Sequence, residues 1–166
     1  PRSFKNHELI LEAIKLLPIK ILEKTAFHFT TIKDSKEKYA EFWIQECGLW
    51  KNVHFYGKVK RNQLLSMYNA MDCLLFPSKV ETWGLPISEA KAYKKPMFLA
   101  NLPYAKEACG NYERVSFFDE NNASALAKLI TEFVEENHTV QRNTITFDTS
   151  NDLHNWKELF DYILKD

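Results

Sequence analysis

The sequence predicts an α/β fold of the Rossmann-like type, in which a parallel sheet of about five or six strands is flanked by helices. Short apolar runs alternate with stretches of helical periodicity over most of the chain, and this alternation requires parallel strands joined by crossover helices. A second observation is the stretch 73–92, where an apolar run is followed by a loop and then by a helix-like segment. In α/β folds, ligands bind at such junctions on the carboxyl edge of the sheet.

Composition restricts the class of protein. The 166 residues, 45% of them hydrophobic, are enough for one domain with a substantial core. Lysine plus arginine equals aspartate plus glutamate at 22 each, so the net charge is zero, which argues against nucleic acid or an anionic membrane as a bulk partner. No apolar run approaches the ~20 residues of a membrane span.

The domain organisation is predicted to be simple. We expect residues 1–150 to form the Rossmann-like domain and residues 151–166 to form a C-terminal helix that packs on it or crosses toward another domain. Because the chain begins with Pro1 rather than Met and structure is expected almost at once, we expect a fragment with further sequence upstream. No signal peptide is recognised. The three cysteines are isolated and odd in number, which is typical of reduced thiols in a cytoplasmic protein.

The first half of the chain is predicted to contain three helices and two strands. Asn6 is the expected N-cap of the first helix, because apolar residues recur at helical spacing after it and Pro18 marks its end. Residues 26–32 and 52–56 are rich in β-formers and predict strands. Helices are predicted at 35–47, where an aromatic stripe indicates core packing, and at 63–71.

The second half continues the alternation. Strands are predicted at 73–76, 96–100 and 115–118, which are short apolar runs with proline, glycine or asparagine nearby. Helices are predicted from residue 85, at 104–109 and at 123–136. Residues 137–151 are polar and irregular, and a last amphipathic helix is predicted at 152–165.

The loop at 77–84 and the helix after it contain the residues that predict a ligand-binding site. Pro86 suits a first helical turn, so the amides of Gly84, Leu85 and Ile87 are expected to lie at the positive end of a helix dipole, where phosphate binds well. Glu81 precedes this helix and Glu89 lies about one turn inside it. A carboxylate is a good partner for a pair of vicinal hydroxyls, so this combination predicts a nucleotide-sugar site.

The string Pro-Ser-Lys-Val-Glu-Thr-Trp-Gly-Leu-Pro-Ile-Ser-Glu-Ala at 77–90 resembles the signature of the "group 1" family of retaining glycosyltransferases, which have GT-B architecture. That signature has two glutamates separated by seven residues around a Gly-Leu-Pro core. An aromatic residue usually precedes the glycine, and here it is Trp83. The resemblance covers roughly residues 2–136 and implies that this chain is one half of a GT-B enzyme, the half that binds the donor nucleotide.

The resemblance implies roles for several residues. Glu89 would hold the ribose hydroxyls and Glu81 the hydroxyls of the donor sugar. The amides of Gly84 and Leu85, with Lys5, would stabilise charge on the departing phosphate. The same is expected of Arg2, although it lies closer to Lys5 than in the family pattern.

A second segment also resembles the family. There, a strand that ends in glycine places the next loop against the nucleobase, which would give Gly57, Lys58 and Val59 a base-binding role. Neither a bound metal nor another cofactor is predicted, because there is no Asp-x-Asp pair and the five histidines are scattered.

The function that the resemblance implies is donor binding in a retaining glycosyltransferase, with a UDP-sugar favoured and GDP-mannose next. The enzyme would extend a bacterial surface glycan or lipid-linked acceptor, held by a missing N-terminal domain at the inner face of the cell membrane. Two other classes stay open: a nucleotide-binding module without transfer activity, and a response-regulator-like interaction domain, although its acidic pocket is not found. A GT-B epimerase or a glycogen-type synthase is a rival among enzymes.

Overall fold

The computed structural model describes residues 3–30 and 52–136. Several predictions lie outside these residues: the role of Arg2, the end of the strand at 26–32, the helix at 35–47, the irregular stretch 137–151 and the final helix at 152–165.

Strands and helices alternate through the described residues, as the sequence predicts. The strands are β1 Phe27–Phe29, β2 Val53–Phe55, β3 Leu74–Phe76, β4 Met97–Ala100 and β5 Val115–Phe118. The helices are α1 His7–Lys15, α2 Ile19–Leu22, α3 Arg61–Ala70, α4 Leu85–Ala92, α5 Pro103–Cys109 and α6 Ala123–Glu136, and a 3₁₀ turn at Ser3–Lys5 precedes α1.

All of the strand pairs in the described residues are parallel. β1 pairs with β2, with Phe27 opposite Val53. β3 pairs with β4, and β4 pairs with β5, with Leu99 opposite Phe76 and Phe117. The predicted parallel α/β architecture is therefore confirmed, but the five strands form one sheet of two strands and one of three.

The hydrophobic core lies on both faces of these strands. On one face, α1 and α6 pack together, and a single cluster joins them to strands of both sheets through side chains such as Ile14, Phe27, Phe98 and Leu126. On the other face, β3 and β4 pack against α4 and α5 in a second cluster that contains the fully buried Ile87. Burial of such side chains stabilises the fold by roughly 1.5–3 kcal/mol each.

Three local details differ from what the sequence predicts. Asn6 is the N-cap residue of α1, as predicted, but its backbone is left-handed (φ 56°) and its side chain makes no capping hydrogen bond. A short helix, α2, follows Pro18, because a proline that ends one helix also has the φ needed to start the next turn. The helix predicted at 63–71 begins two residues earlier, at Arg61, since the Gln63 side chain accepts a hydrogen bond from the Lys60 amide.

Among the described residues, no helix is both long enough and apolar enough to cross a membrane.

Candidate donor-binding site

The candidate site lies where β3 ends and the loop 77–84 leads to α4. The loop is fixed by its neighbours: the Tyr104 hydroxyl donates to the Ser78 carbonyl over 2.5 Å, and the Lys79 amide donates to the Phe4 carbonyl over 2.7 Å. The Asn6 side chain donates to the carbonyls of Pro77 and Glu120. These contacts bring the start of the chain to the carboxyl edge of β3.

Glu81 and Lys5 form an ion pair at this edge, although 76 residues separate them in sequence. The Glu81 carboxylate is largely buried, with 14% of its side chain exposed, whereas 37% of the Lys5 side chain remains exposed. The Lys5 ammonium also lies 6.0 Å from the ring centroid of Phe76. Two predicted site residues are thus in direct contact, and the cation has an open side from which an anion could approach.

Glu89 forms a second ion pair, with Arg61 at the start of α3, in which the Nη1–Oε1 distance is 2.5 Å. The Glu89 side chain is 6% exposed. The Tyr68 hydroxyl bonds to the same carboxylate, and the pKa of Tyr68 is raised by burial and then by the charge of Glu89. A buried carboxylate needs partners of this kind, so Glu89 is held in one position.

The sequence did not single out Arg61. Its position in the sequence offered one clue. The positive end of the helix dipole disfavours a cation in the first turn, so a cation there suggests that a carboxylate lies nearby. Nothing in the sequence says that this carboxylate lies 28 residues further on.

The N-terminus of α4 has the geometry needed for close approach to a ligand. Gly84 is the N-cap and adopts a left-handed conformation with φ 59°. A Cβ at this position would lie 3.2 Å from Ile87 Cδ1 and 3.4 Å from Ala108 Cβ. One expectation is wrong: the Ile87 amide already donates to the Gly84 carbonyl at 2.8 Å, because the first turn closes on itself. The Gly84 and Leu85 amides remain the candidate anion donors.

Three large apolar side chains around this turn are exposed. Trp83 is 80% exposed, Val80 63% and Leu85 51%. The Trp83 ring therefore lies outside the hydrophobic core and is available to contact a ligand or another protein surface.

The segment predicted to bind the base lies at the carboxyl end of β2. Gly57 has φ 68° with open space around it, Lys58 is exposed and Val59 is half-buried. Two residues later, Arg61 connects this segment to Glu89 on α4. The start of α3, which follows the predicted base-binding segment, is therefore joined to Glu89 by the Arg61 guanidinium group.

Within residues 3–30 and 52–136 there is no group of three or more histidine, cysteine, aspartate or glutamate side chains that could hold a metal ion. The expectation that no cofactor is needed stays a prediction.

The parallel α/β fold of this chain matches that of GT-B glycosyltransferases. Two solved structures share it. One is the crystal structure of Anabaena Alr3699/HepE in complex with UDP, with 22% identity and a TM-score of 0.63 over 89% of this chain. The other is the crystal structure of TarM, with 21% identity and a TM-score of 0.65 over 81% of this chain.

The family model for glycosyl transferases group 1 matches residues 2–146. The chain belongs to this family, as the motif at 77–90 indicates. It spans 39% of the length of the HepE chain and 26% of that of TarM. No curated protein sequence matches it.

Proposed function

We propose that this chain is the donor-binding domain of a retaining glycosyltransferase that uses a nucleotide diphosphate sugar, with a UDP-sugar favoured and GDP-mannose next. The observation that carries the proposal is the loop at 77–84. It places Glu81 beside Lys5 and leads into a glycine-started helix on which Glu89 is buried. Membership of the group 1 family supports glycosyl transfer as the reaction.

The diphosphate would bind at the N-terminus of α4. The amides of Gly84 and Leu85 and the ammonium of Lys5 would donate to its oxygens, and Arg2 would add a second cation. As the bond between the anomeric carbon and the β-phosphate oxygen breaks, negative charge grows on that phosphate, and preorganised donors stabilise it without a metal. Because Lys5 is 37% exposed, a phosphate can reach it without unfolding the loop.

Donor binding would change the partners of Glu81. In the free chain its charge is matched by Lys5, and an incoming phosphate competes for the same ammonium. A carboxylate has about four lone-pair sites, so Glu81 can accept hydrogen bonds from sugar hydroxyls while Lys5 turns to the phosphate.

The ribose would bind Glu89. Arg61 contacts Oε1, and a carboxylate still has acceptor sites on its other oxygen for vicinal hydroxyls. Arg61 acts here as a positioning residue, since it fixes the orientation of the acceptor and offsets its charge near the phosphates. The base would lie against the backbone of Gly57, Lys58 and Val59, with Trp83 free to cover the donor.

The UDP preference rests on the similarity to HepE, which was solved with UDP. The acceptor, a glycan or lipid-linked sugar, would be held by a separate N-terminal domain, and the whole enzyme would work in the bacterial cytoplasm at the inner face of the membrane. With half of the cleft missing, this chain would bind donor but transfer poorly, because positioning and water exclusion are incomplete.

Turnover by the full-length protein tests this proposal. UDP or GDP release is measured with a panel of UDP-sugars and GDP-mannose, with and without glycan acceptors. We expect one donor to be consumed by the full-length protein, far slower release by residues 1–166 alone, and a kcat reduced roughly 10²-fold or more in Glu81→Gln. The matched control is Glu132→Gln, a half-exposed carboxylate on α6. Equal rates for wild type and Glu81→Gln would contradict the proposal.

A second candidate is a non-catalytic module that binds nucleotide or protein. The exposed cluster of Val80, Trp83 and Leu85 favours it, since exposed apolar side chains in a group are typical of interaction surfaces. Nucleotide binding by the full-length protein without consumption of any nucleotide sugar would favour this candidate.

A further inference from the structure

A tyrosine outside the motif at 77–90 is bonded to the loop that carries Glu81. Tyr104 lies in the first turn of α5 and is half-buried. Its hydroxyl donates to the Ser78 carbonyl over 2.5 Å. Its ring packs edge-on against that of Phe76, the last residue of β3, with 6.4 Å between the ring centroids. Tyr104 therefore contacts both the end of β3 and the loop that follows it.

Ser78, the residue held by this bond, is a buried polar side chain that is 1% exposed. Its Oγ lies 3.3 Å from the Phe4 carbonyl oxygen and 3.2 Å from that of Val80. A serine hydroxyl has one proton to donate, so the two carbonyls share it. Phe4 and Val80 directly precede Lys5 and Glu81 in the sequence. One buried hydroxyl therefore joins the backbone beside the cation to the backbone beside the carboxylate.

The same two segments are also joined by a backbone bond. The Lys79 amide donates to the Phe4 carbonyl over 2.7 Å, so this carbonyl accepts from two consecutive residues of the loop. A carbonyl oxygen has two lone pairs, and both bonds can form at once. The ion pair of Lys5 with Glu81 lies at one end of this hydrogen-bonded connection, and Tyr104 lies at the other.

We propose that Tyr104 is a positioning residue for the ion pair of Lys5 with Glu81. Its hydroxyl fixes Ser78, and Ser78 fixes the separation of the two turns that carry the pair. Because the carbonyl and the hydroxyl of Ser78 belong to one residue, loss of the Tyr104 bond frees Ser78 to leave both of its acceptors.

The Tyr104 hydroxyl remains a donor at neutral pH. Burial, and then the charges of Glu81 and Glu120, raise the pKa of Tyr104 above its ordinary value. A phenolate at this position would be repelled by both carboxylates and could not donate to the Ser78 carbonyl. The bond that holds the loop is therefore insensitive to pH in the neutral range.

The first test measures the ion pair itself and needs no nucleotide. The 166-residue chain is treated briefly with acetic anhydride, and the labelling rate of Lys5 is measured by mass spectrometry relative to that of Lys20. Labelling of Lys5 requires its bond to Glu81 to break, so Glu81→Gln gives the rate for a broken pair. We expect Tyr104→Phe to raise the Lys5 rate roughly two- to tenfold, the factor that corresponds to one lost hydrogen bond.

The matched control is Tyr112→Phe. The Tyr112 hydroxyl also donates to a backbone carbonyl, that of Lys95, over 3.0 Å, and Lys95 lies before β4, at the opposite end of that strand from the candidate site. Tyr112→Phe therefore removes a bond of the same kind, and we expect it to leave the labelling of Lys5 unchanged.

The second test rests on the proposed function. If Lys5 binds the diphosphate, a displaced Lys5 weakens the binding of UDP but not that of uridine, which has no phosphate. We expect Tyr104→Phe to weaken UDP binding roughly two- to tenfold and to leave uridine binding unchanged, as measured by calorimetry. Tyr112→Phe is expected to change neither affinity.

Equal labelling of Lys5 in wild type and Tyr104→Phe would overturn the proposal. So would an equal rise in the labelling of Lys5 and Lys20, because general loosening of the fold would then explain the change. Ser78→Ala removes the shared hydroxyl and is expected to raise the Lys5 rate as well; an unchanged rate would contradict the role of Ser78.

A loss of affinity that is the same for uridine as for UDP would also contradict the proposal, since a purely structural role of Tyr104 predicts that result. If wild type does not bind UDP, the proposed function fails, whereas the labelling rates still decide for or against Tyr104.

Discussion

Each glutamate of the motif at 77–90 has a cation partner from a distant part of the chain. Lys5 pairs with Glu81, and Arg61 pairs with Glu89. The two cations are similarly exposed, Lys5 at 37% and Arg61 at 33%, whereas the Glu81 side chain is 14% exposed and that of Glu89 is 6% exposed. The more deeply buried carboxylate depends more strongly on its fixed partner. In the proposed site, Lys5 therefore binds phosphate, Glu81 meets the donor sugar and Glu89 holds the ribose hydroxyls.

If Lys5 binds the diphosphate, Lys5→Gln will weaken binding of UDP by roughly 1.5–3 kcal/mol, the range for hydrogen bonds to charged groups. Binding of uridine, which has no phosphate, will change little. Isothermal titration calorimetry with both ligands measures the difference. Lys20→Gln is the control, since Lys20 forms an exposed ion pair with Glu135. The same loss for uridine as for UDP would show that Lys5 does not contact the phosphates.

The chain is expected to lose stability in mild acid because of His7. Burial, and then the charge of Lys5, lower the pKa of His7 below its ordinary value of 6.5, and its Nδ1 has no hydrogen-bond partner among the described residues. The unfolded chain therefore binds a proton more readily than the folded chain. Stability is full above the unfolded pKa and falls as the pH drops below it, by at most ~1.4 kcal/mol per pH unit for one proton.

His7→Phe should reduce this acid sensitivity while keeping the edge contact with Phe29. Urea unfolding at about pH 7.5 and about pH 5 measures the free energy of unfolding of both proteins. Part of the dependence will remain, since burial and then His54 also lower the pKa of His28. Identical losses in wild type and variant between the two pH values would refute the assignment to His7.

At the scale of single elements, the turn that leads into α4 restricts the choice of residue most strongly. Gly84 combines a left-handed backbone with close neighbours, whereas Gly57 has the same handedness and open space. A non-glycine residue in this conformation costs roughly 1–2 kcal/mol. Substituting each glycine in turn therefore distinguishes the stability cost of backbone strain from that of crowding.

Gly84→Ala is expected to destabilise the chain by more than Gly57→Ala, because only the former pushes a methyl group toward Ile87 and Ala108. The backbone cost, ~1–2 kcal/mol, is common to both. The midpoints of urea unfolding compare them directly. A Gly57→Ala variant that is as unstable as Gly84→Ala would mean that crowding at α4 contributes nothing.

The sequence predicted most elements because their signals are local. β5 and α6 have the predicted bounds, since each is a compact apolar pattern between turn residues. α2 was missed, because Pro18 was interpreted only as the end of α1. The split of the strands into two sheets has no local signal: it depends on which edges meet in three dimensions.

The candidate site could be predicted only in part for the same reason. The motif carries Glu81, Gly84 and Glu89 within nine positions of one another, so a single stretch of sequence reveals them. Their partners are remote, and the pair of Arg61 with Glu89 joins two elements that 28 residues separate. Asn6 is the predicted N-cap of α1, but the sequence does not show that its side chain joins the loops after β3 and β5.

At the scale of the whole molecule, the described residues match one part of the GT-B glycosyltransferase fold, and the elements that adjoin the candidate site converge on one edge. The loops after β2 and β3, the turn before α1 and the N-terminus of α4 all meet there. The acceptor half of a transferase is supplied by a second domain in GT-B enzymes. We therefore expect this chain to carry nucleotide recognition by itself and to contribute to transfer only in the longer protein.

The most direct test of donor binding is calorimetric titration of this chain with UDP, GDP and ADP, repeated with Glu89→Gln. Glu132→Gln serves as the control, and circular dichroism verifies that each variant is folded. We predict that UDP binds most tightly and that Glu89→Gln weakens it by ~1–3 kcal/mol, because a charged acceptor for the ribose hydroxyls is lost. If folded Glu89→Gln binds UDP as tightly as wild type, the account of the site is wrong.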